Sequence, residues 1–329
     1  MRMFGVLSVI VLLNAMISAV SGAGTTSGPR FAAASTAAFG RGGEENPGRG
    51  SGTRREQAPV LLAAGDIAQC GEPGSAATAA LLRDLPGTVA TLGDNAYSAG
   101  SKPEFANCYD PTWGAEKERT RPAPGNHEYG TRGARGYFGY FGSSAGSART
   151  GYYSYDLGAW HIVVLNSNCK EVGGCEADSP QGRWLRQDLA AHPTACTLAY
   201  WHHPLFSSGT KHGGDATMQP FWQALYDAGA DVVLSSHEHN YERFAPQAPD
   251  GTPDRKRGIR EFVVGTGGAG HYPFGQPLPT SERRNADTFG VLALTLRPRA
   301  YDWEFVPVDA GIESRGPRAF TDTGSARCH

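Results

Sequence analysis

Four apolar runs in this chain end abruptly in side chains that can bind a cation. "VLLAAGD" runs into Asp66, "TVATLGD" into Asp94, "TLAYWHH" into His202 and His203, and "DVVLSSHEH" into His237 and His239. Short continuous apolar runs bounded by turn residues read as strands buried on both faces, the pattern of a parallel sheet covered by helices. Residues just past the carboxyl ends of such strands gather along one edge of the sheet. A fifth group, Gly125-Asn126-His127-Glu128, follows a shorter stretch of the same kind. The chain is therefore expected to collect Asp, Asn, His and, through "GDNAY", Tyr97 in one place.

Around these runs the pattern predicts strand and helix in alternation. A helix is expected near Ala76–Leu85, an irregular region around Trp113, and two consecutive antiparallel strands in "YYSYDLG" and "WHIVVLNS". Helices follow over Pro180–Ala191, with Trp184, Leu185 and Leu189 on one face, and over Met218–Ala228. "EFVVGTGG", "FGVLALTL" and "AYDWEFVPV" supply three more strands. This order fits an α/β (α+β) fold, a two-sheet β-sandwich flanked by helices, in one domain over residues 58–329. No internal repeat is present, and no Pro/Gly/Ser linker divides that span.

The amino-terminal part reads differently. Met1-Arg2-Met3, an apolar run from Phe4 to Val20 and the small residues Ser21-Gly22-Ala23 form the pattern of a secretory signal over residues 1–23. Broken by Asn14, the run is marginal as a span, although an uncleaved anchor is the alternative. No other stretch could span a bilayer, so the mature form is expected to carry no stable membrane span. Residues 24–57, rich in Gly, Ser, Ala, Thr and Arg, offer too little apolar surface to offset the entropy of ordering and read as a flexible leader. Removing the signal moves the formal charge from -2 to -3. Neither value suggests dedicated binding of nucleic acid or of an acidic membrane.

Six cysteines in an exported chain point to disulfides, with six buried thiols as the bland alternative. Cys169 and Cys175 close the short loop "CKEVGGC". Cys70 follows the first group and Cys108 the second, which puts both near one rim. Cys196 and Cys328 remain, and joining them would pin the carboxyl terminus to a core strand. No C-x2-C pair is present to suggest a structural zinc site.

A carboxylate can bridge two cations where an imidazole or amide serves one, so Asp94 is the candidate bridge of a two-metal site. Taken singly, each residue has a plainer reading. Asp66 and Asp94 could cap turns, Tyr97 could be a loop aromatic, and Gly125-Asn126 is a turn signal. Occurrence of all five groups in order favours the metal reading. "GTGGAG" at 265–270 lacks the Lys-Ser/Thr of a P-loop and reads as a tight turn. Ser207-Ser208-Gly209 is no nucleophile elbow, and His161, His192 and His271 read as structural or solvated. His212, in the Gly-rich "SGTKHGGD" loop, could line a substrate pocket.

In "GD" at 65–66, "GDNAY" at 93–97, "GNHE" at 125–128, "WHHP" at 201–204 and "SSHEHNYER" at 235–243, the chain resembles the metallophosphoesterases, and within them the purple acid phosphatases. The resemblance implies the calcineurin-like αββα fold. It implies one metal held by Asp66, Asp94, Tyr97 and His239, and a second by Asp94, Asn126, His202 and His237. Most metallophosphoesterases carry a His two positions after the first Asp, and here that position is Ala68, which cannot bind a metal. Tyr97 would replace that ligand, as a phenolate does for ferric iron in the purple enzymes. Ala68 and Ser236 stand where the family often has Gly. Family spacing, with the ligand two residues before Pro, favours His202 over His203.

The implied cofactors are two metal ions, Fe(III) with Zn, Mn or Fe(II). Three anionic ligands against a trivalent and a divalent ion leave positive charge for a phosphate. A metal lowers the pKa of its water to roughly 7, giving hydroxide attack on phosphorus without a protein base. Asn126 and His127 are the expected catalytic residues, His127 as acid to the leaving group, and His203 and His212 would join them in binding substrate. The expectation is thus a secreted, periplasmic or cell-surface phosphomonoesterase acting on a small-molecule phosphate ester. A diesterase with the same metals is the near alternative, and a non-catalytic metal-containing binding protein the distant one.

Overall fold

The computed structural model describes residues 57–148, 150–308 and 320–329. The signal expected over 1–23 lies outside these, as does the leader over 24–57 apart from Gln57. The described chain builds two sheets. β1 (Val60–Ala64), β2 (Thr88–Leu92) and β3 (Thr120–Ala123) run parallel in one of them. Its other half is antiparallel, and comprises β11 (Gly290–Arg297), β12 (Ala300–Pro307) and β13 (Thr323–Arg327), in the order β13-β12-β11-β1-β2-β3.

The second sheet has seven strands. Its centre is parallel: β5 (Trp160–Val164), β6 (Thr197–Tyr200), β7 (Val232–Ser235) and β9 (Arg260–Val264). β4 (Tyr153–Leu157) pairs antiparallel with β5 at one end. β8 (Tyr241–Phe244) and β10 (Ser281–Asn285) complete the order β10-β8-β9-β7-β6-β5-β4. Among the described residues the longer helices in the connections are α1 (Gly74–Asp84), α2 (Arg135–Phe141), α3 (Pro180–Ala191) and α4 (Gln219–Asp227).

Period-two alternation decides which side each strand residue faces. Ile162, Val164, Leu198, Tyr200, Val232 and Leu234 join the core shared with the first sheet. Their neighbours Val163, Leu165, Ala199, Trp201 and Val233 instead pack on Leu185 and Leu189 of α3 and Phe221, Trp222 and Leu225 of α4. Buried on both faces, these strands had to be continuous apolar runs, which is why they stood out in the sequence. Ser179 caps α3 by accepting from the Gly182 N–H, with Pro180 in the first turn. Disulfides join Cys70 to Cys108, Cys169 to Cys175 and Cys196 to Cys328.

The structure departs from the sequence reading at β8, β10, β13 and α2. β10 is "SERRN", with no apolar residue, and it is a strand because it pairs with β8, Arg284 lying opposite Glu242. α2 contains Gly136 and Gly139, which weaken helix propensity. Packing restores it: Tyr140 and Phe141 lie against Phe105 and Tyr109, and Tyr137 and Phe138 join the same core. The region around Trp113, read as irregular, is a 3-10 helix over Trp113–Arg119.

One buried acid makes the fold sensitive to pH. Glu261 on β9 is fully buried, accepting from Ser235 Oγ (3.0 Å) and Phe206 N–H (3.3 Å). Burial pushes its carboxyl up from 4.5 to about 8. A folded pKa above the unfolded one gives stability that is full below pH 4.5 and is lost as pH rises through about 8. Melting should therefore occur at lower temperature at pH 8.5 than at pH 5.5, by on the order of 3 °C or more. Glu261→Gln should flatten that slope in calorimetry, and an unchanged slope would count against this assignment.

Candidate metal centre

The parallel strands of both sheets end on the same side, and the loops leaving them hold every donor named from the sequence. Asp66 follows β1, Asp94 and Tyr97 follow β2, Asn126 follows β3, His202 follows β6, and His237 and His239 follow β7. The side chains form two groups around one carboxylate. Tyr97 Oη lies 2.8 Å from Asp66 Oδ1 and 3.1 Å from His239 Nε2, and His239 Nε2 is 3.5 Å from Asp66 Oδ1. His202 Nε2 lies 3.1 Å from Asn126 Oδ1 and 3.0 Å from His237 Nδ1. Asp94 Oδ2 touches both groups, 3.2 Å from Tyr97 Oη and 3.3 Å from His202 Nε2. All but Asn126 and His237 are buried, and those two are half-buried.

The backbone is bent to achieve this. Asp66, Asp94 and His237 all adopt left-handed conformations, with φ of 58°, 49° and 70°. Such a conformation costs an L-residue about 1–2 kcal/mol, and strain of this kind collects where side chains must be aimed. The bend at His237 turns its ring toward His202 while His239, two residues on, faces Tyr97 and Asp66. Two glycines are required by close approach. A Cβ on Gly93, itself at φ 93°, would sit 2.6 Å from His202 Nδ1, and one on Gly125 would overlap Asp94 Oδ1.

Outer hydrogen bonds fix which ring nitrogen faces the centre. His202 Nδ1 lies 3.0 Å from the Leu92 carbonyl, which can only accept, so Nδ1 carries the hydrogen and Nε2 points inward. Ser236 Oγ also reaches His202 Nδ1 (2.9 Å) and donates to the same carbonyl (2.7 Å). His239 Nδ1 donates to the Gly270 carbonyl at 2.6 Å. The "GTGGAG" turn thus buttresses the centre, and its Gly267 and Ala269 N–H groups donate to the Gly65 and Asp66 carbonyls. Ala68 keeps a backbone role, its carbonyl accepting from Tyr97 N–H at 2.9 Å.

Charge in the centre is tightly linked. Burial works against ionising Asp94, yet His202 beside it holds its carboxyl well below the usual range. Burial likewise opposes a charge on His202, and Asp94 lifts it to about 9. Burial, then His202 and His203, push His237 down. Burial and the adjacent Asp66 and Asp94 carboxylates hold the Tyr97 phenol protonated well above its ordinary range. Carboxylate, imidazole, amide and phenol oxygen or nitrogen atoms therefore face one another with protons doing the work of cations. That donor set fits two metal ions, and binding them would release the His202 and Tyr97 protons.

The remaining sequence-named residues line the rim. His127 donates from N–H to Asp94 Oδ1 (2.8 Å), and its Nε2 is 3.8 Å from Asp94 Oδ2. Its Nδ1 donates to the Ser98 carbonyl at 2.5 Å, which leaves Nε2 as the nitrogen facing the centre. The His203 ring lies against His202 and His237, its Nδ1 2.7 Å from Ser167 Oγ, and burial with neighbouring His202 pushes it down to about 3. The exposed His212 ring stacks on His237 with centroids 4.0 Å apart. Of the others, His161 sits between Asp156 and Asp188, His192 stacks on His161, and His271 lies behind His239, all away from the inward-facing nitrogens.

Sequence reading passed over three contributors. Glu128 is buried and accepts from the N–H groups of Asp94, Asn95, Ala96 and Gly125, tying the second and third donor loops together. Burial, then Asp94, raise its carboxyl to about 7. Tyr272 stacks on His239 at 3.9 Å, and Glu238 supports the loop carrying His212. Glu128 and Glu238 were visible within "GNHE" and "SSHEH", but only the folded backbone shows which N–H groups they take.

A stretch of purple acid phosphatase 15 from Arabidopsis thaliana is 35% identical over 104 residues, covering 30% of this chain and 19% of that protein. Human acid phosphatase type 7 is 29% identical over 144 residues, covering 37% and 32%. These matched stretches span at most about a third of either relative's length. The structure of purple acid phosphatase PPD1 from yellow lupin superposes with a TM-score of 0.63 at 19% identity, over 82% of this chain and 54% of that one, a likeness of fold. The sequence profile described as calcineurin-like phosphoesterase matches residues 51–241, which is more than half of the chain and carries every donor described above. The chain belongs to the calcineurin-like phosphoesterase family.

Proposed function

We propose that the protein is an exported, dinuclear metal-dependent phosphatase that hydrolyses phosphomonoesters in the manner of the purple acid phosphatases. The observation that carries this reading is Asp94 Oδ2, within 3.3 Å of donors from both groups, where a carboxylate shared by two metals belongs. Asp66, Asp94, Tyr97 and His239 would hold one ion, with the phenolate favouring Fe(III). Asp94, Asn126, His202 and His237 would hold the other, which suits Zn, Mn or Fe(II). When bound, the metals would polarise the phosphate and acidify a water to act as nucleophile.

The chain's own groups do the rest. Asn126 turns Oδ1 toward His202 and keeps its amide hydrogens for a phosphate oxygen. His127, half-exposed beside Asp94 and Tyr97, would protonate the departing alkoxide from Nε2. His212 and His203 would border the phosphate. A cavity of about 540 Å3 adjoining Asn126 and His203, and reaching Lys170 and Asp215, has room for a leaving group. Export rests on the amino-terminal pattern of residues 1–23, followed by a leader to 57 and the domain from 58. It is supported by three disulfides, which persist in oxidising compartments.

The test is metal analysis and a visible spectrum of the purified mature protein, with p-nitrophenyl phosphate turnover by wild type and Tyr97→Phe. Two metals, turnover, and a phenolate-to-iron band that vanishes in the variant are expected. Two metals without the band would make the enzyme a colourless phosphoesterase. Faster turnover of bis(p-nitrophenyl) phosphate would make it a diesterase. No stoichiometric metal in protein prepared without chelators would overturn the reading.

A further inference from the structure

Between the two histidines that flank it, the Glu238 side chain faces neither group of donors. It is fully buried and turns toward the loop after β6. Its Oε1 accepts the N–H groups of His212 at 2.5 Å and Gly213 at 2.7 Å. Its other oxygen, Oε2, is buried without a partner and lies against Gly209, where a Cβ would come within 2.5 Å of it. The loop's other ties fall on either side of these two amides: Gly209 N–H donates to Ser207 Oγ, Thr210 N–H and Oγ1 reach the Pro273 carbonyl, Lys211 lies over the Tyr272 ring, and Asp215 N–H donates to the Pro204 carbonyl. Gly213 is at φ 72°, so the turn does not hold itself by ordinary L-residue geometry.

We infer that Glu238 is a positioning residue that fixes His212 over His237, and so sets a contact to the substrate phosphate. A carboxylate accepting two backbone N–H groups makes charge-assisted bonds, roughly twice as strong as neutral ones. Its burial leaves those two N–H groups no water to turn to if it is removed. The exposed His212 ring has a stacking contact with His237 and a looser edge contact with Tyr272. Its place is therefore decided by its own backbone, which Glu238 grips. The substrate role of His212 rests on the phosphatase reading above, whereas the grip of Glu238 on the loop does not.

Three variants separate the possibilities. Gln at 238 keeps an acceptor oxygen at the same reach, Asp withdraws it by one methylene, and Leu removes it. Hydrogen–deuterium exchange across 209–214 should show the His212 and Gly213 amides protected in wild type and Glu238→Gln. They should exchange at least about tenfold faster in Glu238→Asp and Glu238→Leu, since a lost bond of this class changes an opening equilibrium by that order. Metal content should stay at the wild-type value in Glu238→Asp. KM for p-nitrophenyl phosphate should rise about tenfold in Glu238→Asp with kcat within threefold, and the same change should be nearly silent in a His212→Ala background.

Fast exchange in wild type, or equal protection in all variants, would overturn the inference. So would full additivity of Glu238→Asp with His212→Ala, or metal loss in Glu238→Asp, which would mean that Glu238 acts through His237 and His239. Should Glu238→Leu fail to fold, the Asp and Gln variants carry the same comparison. Exchange as expected with no phosphatase activity in wild type would uphold the positioning and overturn the phosphatase reading.

Discussion

Asp94→Ala should lose both metals and at least about 1000-fold in phosphatase turnover, with the fold intact. Lewis-acid stabilisation by a metal is worth several kcal/mol, and each 1.36 kcal/mol is a factor of ten in rate. Removing any other donor leaves one group of ligands whole. Asp94 is different because its Oδ2 lies within hydrogen-bond range of both Tyr97 Oη and His202 Nε2, and its Oδ1 takes the His127 N–H. One truncation therefore weakens both ion positions and frees the His127 backbone. Loss of Asp94 also removes the charge that lifts His202, leaving a buried imidazole with less reason to hold a proton. Elemental analysis, circular dichroism and p-nitrophenyl phosphate turnover on the same preparation would decide the matter. Two metals retained, with activity within tenfold of wild type, would exclude Asp94 as the shared ligand.

Much of the architecture was legible because strands buried on both faces must be written in apolar residues. β1, β2, β6 and β7 each announce themselves this way, and each is followed by a donor. α3 was legible to its ends, because Ser179-Pro180 marks its start and Leu185 and Leu189 its buried face. Elements whose state is imposed by neighbours were not legible. β10 and β13 have no apolar period of their own, and they are strands only because β8 and β12 offer them partners.

The same division runs through the candidate centre. Donor types and their order were written in the sequence, since a Tyr, an Asn or a His after an apolar run is a local fact. Their supports are not local. Glu128 collects N–H groups from residues 94–96 and from 125, and Ser236 and the Leu92 carbonyl meet at His202 Nδ1 from opposite sheets. Such contacts depend on the register between β2 and β3 and on how the two sheets face each other, which no single window of residues encodes. Tyr272 illustrates this, lying 33 positions beyond the His239 ring on which it stacks, in a loop with no pattern of its own.

His127→Ala should reveal itself through the leaving group. A positioned general acid contributes about 100-fold to 10,000-fold where the departing oxygen needs a proton. An alkoxide needs one and a nitrophenolate hardly does. The variant should thus lose at least about 100-fold in kcat on an alkyl phosphate and far less on p-nitrophenyl phosphate. The geometry gives this residue one usable proton site, because the Ser98 carbonyl occupies Nδ1 and leaves Nε2 facing the centre 3.8 Å from Asp94 Oδ2. The metals should stay bound in His127→Ala, since its ring is not among the donors and its backbone N–H to Asp94 Oδ1 is kept. Equal losses on both esters would show that His127 shapes the site without giving up a proton, and the acid would then have to be sought elsewhere on the rim, first at His212.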